Sequence, residues 1–171
     1  MSAAERTLAE FMAQALAMER EAVERYTEFA DAMEVHNNRE VAALFRTMAG
    51  YESKHASQIM AEMGWTDAPE PPADGFGWPD LEAPETVAID AVHYLMQPWH
   101  ALKLALAAEQ RAEAFFGELA QATTSESVRR AALELQAEEH EHVELVRAWL
   151  EKVPVPEVDW ATDPDPPRYI D

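Results

Sequence analysis

Two segments of this chain pair a glutamate with a histidine three residues later: Glu52-Ser53-Lys54-His55 and Glu139-His140-Glu141-His142. On a helix, residues three apart share a face, so each segment offers a carboxylate and an imidazole to the same side. Carboxylate oxygens and imidazole nitrogens together suit divalent metals of the iron and manganese kind. A single Glu-x-x-His is a weak signal, because such pairs are common on solvated helix faces. The second segment lies in AEEHEHVELV (137–146), where Glu138, Glu139, His140, Glu141 and His142 all compete for the role. The elements that carry them must decide.

Gly is scarce, and the 11 Pro fall in two patches, 69–98 and 154–167. Between those patches Ala, Leu, Glu, Met and Arg dominate, the strongest helix formers. The first helix is expected over 3–36, with an apolar line Leu8, Phe11, Ala15, Ala22, Phe29, Met33 stepping as one helix face requires. Asn37-Asn38-Arg39-Glu40 reads as an Asn cap with an acid three residues on. The second helix carries Val41, Leu44, Phe45, Met48, Ile59 and Met63 and stops at Gly64. The third starts near Pro98 and Trp99, since proline suits a first turn, and runs to about Ala122. Thr123-Thr124-Ser125-Glu126 opens the fourth, which runs to about Lys152.

Residues 65–84 read as irregular and 84–96 as a short helix. The tail reads as an extended strap anchored by Trp160 and Tyr169. Trp65, Trp78 and Trp99 are expected to close one end. Two short-linked hairpins joined by one long connection make an all-α four-helix bundle with a crossover. The expected organisation is a bundle domain over 1–152 with its crossover at 65–97, and a Pro-rich tail over 153–171 packed on it.

The hairpins repeat. ALAMEREAVERYTEFA (15–30) aligns without gaps on ALAAEQRAEAFFGELA (105–120), placing Glu19 on Glu109 and Tyr26 on Phe116. Glu52 and His55 align more faintly on Glu139 and His142. Extending the apolar stripes gives 15, 19, 22, 26, 29 in the first helix and 41, 45, 48, 52, 55, 59 in the second. The third gives 102, 105, 109, 112, 116, 119 and the fourth 128, 132, 135, 139, 142, 146. Glu19, Glu52, His55, Glu109, Glu139 and His142 therefore sit on core-facing stripes near the middle of their helices. A buried carboxylate costs several kcal/mol unless it is paired or binds a metal, and the stripes carry no Lys or Arg at that level. Two divalent cations would balance four carboxylates, and two neutral imidazoles would complete the coordination.

Composition narrows the function. A formal net charge of −20, from 13 Lys and Arg against 33 Asp and Glu, argues against nucleic acid. No apolar run is long enough for a membrane span, and the N-terminus is too polar for a signal peptide. Without cysteine there is no disulfide, thiolate metal site or Cys-bound iron–sulfur centre. A cytoplasmic protein is expected. His36 at a helix end, His93 and His100 beside the crossover, and the scattered Met residues read as structural.

The order Glu, Glu-x-x-His, Glu, Glu-x-x-His along four helices resembles the ferritin-like di-iron carboxylate superfamily. AMEREAVERYTEFA, YESKHASQI and AEEHEHVELV look most like its rubrerythrin branch, over roughly residues 5–150. The resemblance implies Glu19, Glu52, His55, Glu109, Glu139 and His142 as metal ligands. Glu52 and Glu139 would bridge, Glu19 and Glu109 would be terminal, and each metal would take one His. It implies two iron ions, with Mn or Zn as possible substitutes, reacting with peroxide or O2 and oxidising Fe(II). The alternative is a non-enzymatic iron store or metal buffer.

Tyr26, on the stripe of Glu19, is the one candidate catalytic side chain outside the ligand set; a core aromatic is the equal alternative. Rubrerythrins proper carry a Cys-rich rubredoxin domain. None is expected here, so a separate electron-donor protein is implied if the chain is a peroxidase. They also carry a carboxylate where this chain has Ala112. Glu113, one residue on, reads as solvated or as an indirect neighbour of the site. A homodimer is expected.

Overall fold

Each helix begins where a side chain takes up an amide that the helix cannot satisfy itself. In the computed structural model, which describes residues 7–70 and 97–156, the helices are α1 (Leu8–Val35), α2 (Arg39–Met63), α3 (Pro98–Ala122) and α4 (Glu126–Lys152). The Thr7 hydroxyl accepts from the Glu10 amide at 3.1 Å. That cap starts α1 at Leu8, later than the residue 3 expected from periodicity.

At the first joint Asn37 and Asn38 divide the work. Asn37 takes the left-handed conformation that closes α1 (φ 61), and Asn38, not Asn37, caps α2 by accepting from Val41. The second joint is similar: Ser125, not Thr123, caps α4 by accepting from Val128. Thr123 ends α3 and accepts from the Ser125 amide. Arg129 then ties the joint, donating to the Ala120 and Thr123 carbonyls. Pro98 opens α3 as expected, and the buried His100 accepts from the Gln97 amide through Nδ1.

The apolar stripes build two separate clusters. One gathers Phe29, Met33, Val41, Phe45, Leu102 and Val146. The other gathers Phe11, Leu16, Ile59, Phe116, Val128 and Leu135. Thus α1 and α4 run from the second cluster to the first, while α2 and α3 run the opposite way. The principal packing is α1 on α2 and α3 on α4, two antiparallel hairpins. Neighbouring α2 and α3 are parallel, so the connection between them joins opposite ends of the bundle. This is the all-α, ferritin-like four-helix arrangement.

It also corrects one expectation. Trp65 packs on the Phe11–Phe116 cluster, whereas Trp99 lies in the first turn of α3, at the other end, under Lys103. The two cannot close the same end. Trp78, His93, the short helix expected over 84–96 and the anchors Trp160 and Tyr169 lie outside the described residues. Among the described residues, no helix is long and apolar enough to cross a membrane.

Two glycines of α2 test this reading with opposite signs. Gly64 ends the helix in the left-handed region (φ 67), so Gly64→Ala should cost about 1 kcal/mol. Gly50 is helical, with nothing within 4 Å of an added Cβ, so Gly50→Ala should gain roughly 0.5–1 kcal/mol. Thermal melting should move down for the first and up for the second, by about 2–4 °C each.

Candidate metal centre

The two apolar clusters do not meet through a continuous core. The first reaches Ala22, Ala49, Ala108 and Val143; the second reaches Met18, Ala56, Ala112 and Leu135. The residues between those limits on the core face are Glu19, Glu52, His55, Glu109, Glu139 and His142. Each helix thus carries its stripe across a polar layer in mid-bundle. All four glutamates are 0% exposed, and His55 and His142 are 6% and 7% exposed. The internal repeat holds in burial as well, since Glu19/Glu109, Ala22/Ala112, Tyr26/Phe116 and Phe29/Leu119 are buried pair by pair.

Within the layer the histidine rings stack, with centroids 4.3 Å apart and planes 5° apart. Each turns Nδ1 toward carboxylates. His55 Nδ1 lies 3.5 Å from Glu19 Oε1 and 3.4 Å from Glu139 Oε1. His142 Nδ1 lies 3.5 Å from Glu52 Oε1, 3.6 Å from Glu109 Oε2 and 3.8 Å from Glu139 Oε2. Glu139 therefore presents one oxygen to each histidine. Glu52 interacts with both Glu19 and Glu109. Ligand atoms of Glu52, His55, Glu139 and His142 lie within 4.8 Å of one another, a group that could hold a metal ion.

Many of the layer's polar atoms make no hydrogen bond among the described residues. The carboxylate oxygens of Glu19, Glu109 and Glu139, and Nδ1 of both histidines, are buried and make no hydrogen bond. Buried polar groups left in that condition are costly. No Lys or Arg is buried among the described residues, so protons are what the protein itself can use to reduce the charge. Burial and then the charge of Glu139 raise Glu19. Burial pushes Glu139 up to about 7, with Glu109 adding to it. Burial alone would lower His55, but Glu139 and Glu19 override it and push the imidazole up to about 10. For Glu109 burial is the largest single influence, but His142, Glu139 and Glu52 together outweigh it and hold that carboxyl below its usual value. The donor set of four carboxylates and two imidazoles fits divalent cations.

All six residues singled out on the stripes are brought together. Tyr26 is buried with its ring stacked on Phe45 at 6.0 Å. It belongs to the cluster on one side of the layer, about 10 Å along α1 from Glu19. Glu141 is exposed. Glu113 and His140 contact each other instead of the layer, at 2.9 Å between α3 and α4.

Two further side chains border the layer. Tyr51 is half-buried and its ring lies against His142, with centroids 5.2 Å apart. Glu138 is half-buried and brings Oε2 within 3.8 Å of His55 Nε2. Both precede the glutamate of a Glu-x-x-His, and both touch the histidine of the other helix. Periodicity within one helix carries no signal for such contacts.

The chain is similar to known proteins in sequence and in fold. A family model described as Rubrerythrin matches residues 10–76, which include Glu19, Glu52 and His55. The crystal structure of an uncharacterized conserved protein from Magnetospirillum magnetotacticum MS-1 is 37% identical to this chain. The match covers 90% of this chain and 100% of that one, with a TM-score of 0.65. No curated protein matches.

The protonated layer makes the metal-free protein sensitive to pH. The stability linked to Glu139 is present below its ordinary value of 4.5 and is lost as pH rises toward about 7. That linked to His55 is present below 6.5 and is lost as pH rises toward about 10. Glu109 has the opposite sign, but its contribution is in place above its ordinary 4.5. Chelator-treated protein should therefore denature at lower urea concentration at pH 8 than at pH 5. Glu139→Gln should reduce that difference, and equal midpoints at the two pH values would contradict the account.

Proposed function

The chain belongs to the rubrerythrin-like branch of the ferritin-like superfamily, and on that premise we propose that its polar layer is a dinuclear iron centre. Glu19 and His55 would hold one ion, Glu109 and His142 the other, and Glu52 and Glu139 would bridge them. The observation that carries this reading is the set of buried carboxylate oxygens of Glu19, Glu109 and Glu139 that make no hydrogen bond, with no buried Lys or Arg among the described residues to pair them. Manganese or zinc satisfies the same donors, but only a metal that changes valence suits electron transfer.

The proposed activity is that of an oxidoreductase of rubrerythrin or ferroxidase type, oxidising Fe(II) with peroxide or O2. Iron held by these residues would supply, in passing from +2 to +3 at both positions, the two electrons that with two protons convert one peroxide to two waters. The chain's own part is positional. The stacked histidines and Glu139 set the distance between the half-sites. The apolar clusters on either side restrict water. Glu139 and His55 hold protons in the metal-free state that cations would displace. The sequence contains no cysteine, so electrons would come from a separate donor protein.

A net charge of −20 also suits a second reading, a non-enzymatic iron store or metal buffer, since such a surface concentrates cations. Gel filtration separates the two, because a storage cage of many subunits elutes far ahead of the homodimer proposed for the enzyme.

Anaerobic Fe(II) reconstitution should give two bound metals per chain, and Glu52→Ala or Glu139→Ala should give one or none. Adding one equivalent of peroxide per chain to the loaded protein should oxidise both ions within the mixing time of a stopped-flow experiment. Fewer than one metal per wild-type chain would sink the metal centre. Two metals that peroxide and O2 oxidise no faster than free Fe(II) would leave the buffering role.

A further inference from the structure

The two half-sites match in their carboxylate and imidazole donors but not in what lies behind them. The internal repeat that sets Glu52 on Glu139 also sets Tyr51 on Glu138. The structure keeps that correspondence: Tyr51 of α2 lies against His142 of α4, and Glu138 of α4 lies against His55 of α2. The chemistry differs. His55 has Nδ1 directed into the layer and Nε2 at ion-pair distance, 3.8 Å, from a carboxylate. His142 likewise has Nδ1 directed into the layer, but its ring packs on the Tyr51 ring, tilted by 33°, and Tyr51 also lies 6.5 Å from the Trp149 ring.

A histidine that gives its outer N–H to a carboxylate is fixed in tautomer and orientation and is a stronger donor to a metal. Glu138 is able to do this for His55. It stands in a narrow groove between α2 and α4 with Gln58, Ile59, Glu62, Glu134 and Leu135. An aromatic ring face offers His142 no comparable acceptor.

We infer that Glu138 is a positioning residue for His55 and makes the two metal positions unequal, the Glu19–His55 half-site binding first and more tightly than the Glu109–His142 half-site. The inference rests on the dinuclear reading above. Inequality of this kind separates the order of loading from the symmetry of the fold. One ion would be held firmly while the position beside Tyr51 exchanges more readily.

Anaerobic titration with Co(II), followed by its visible absorption and by calorimetry, tests the inference. Wild type should bind two Co(II) in resolved steps at least about tenfold apart in affinity. Glu138→Gln should weaken the tighter step by about 10–100-fold and leave the weaker step unchanged. Tyr51→Phe, which keeps the ring, should alter neither. To assign the steps, Glu109→Ala should retain the tight site and Glu19→Ala the weak one. Glu138→Gln should then act only in the Glu109→Ala background.

The melting temperature of metal-free Glu138→Gln should equal that of wild type, which separates positioning from a fold defect. Two steps of equal affinity, or equal weakening of both by Glu138→Gln, would overturn the inference while leaving the dinuclear centre standing. No Co(II) binding by wild type would overturn the dinuclear reading itself, and this inference with it.

Discussion

Four carboxylates share one level inside this bundle, and among the described residues no buried Lys or Arg faces them. That constraint organises the rest of the molecule. Like charges at 0% exposure are tolerated only if protons or cations intervene. The protein therefore holds protons where a water-exposed carboxylate would release them, with Glu139 pushed up to about 7 and His55 to about 10. The layer also divides the core. Phe29, Phe45 and Leu102 pack on one side and Phe11, Ile59 and Phe116 on the other. The bundle is stable because each hairpin buries apolar surface in both halves, and that burial can offset a costly middle.

The helices hold the layer through regular spacing more than through special backbone. Glu19 and Glu109 stand at matching positions of a gapless repeat, so two copies of one hairpin plan supply both halves. The crossover makes α2 parallel to α3 and α1 parallel to α4, which brings all four mid-helix positions to the same height. Caps fix the register at each joint: Thr7, Asn38 and Ser125 each accept an amide three residues on. Where the two copies diverge, as at Tyr51 and Glu138, the divergence falls behind the ligands and leaves the donor set intact.

Much of this was legible in the residue order. The stripe 128, 132, 135, 139, 142, 146 separates Glu139 and His142 from Glu138, His140 and Glu141, because a helix buries one face. Each of those six stripe positions is buried in the structure. Less legible was which of two adjacent cap formers does which task. Asn37 and Asn38 are both suited to a joint, and only the chain path shows that the first closes α1 while the second opens α2. Least legible were Tyr51 and Glu138. Their partners lie on another helix, at distances set by how α2 and α4 pack, and no spacing within a helix encodes that. The placement of Trp65 and Trp99 at opposite ends follows from the crossover direction, which nearness in composition obscured.

The account's central claim is that the polar layer holds two metal ions on either side of Glu139. Anomalous scattering at the iron edge from crystals of the Fe(II)-loaded protein tests it most directly. Two peaks about 3.5–4 Å apart are predicted, one beside Glu19 and His55 and the other beside Glu109 and His142. A single peak, or peaks only at exposed carboxylates such as Glu141 and Glu144, would contradict it.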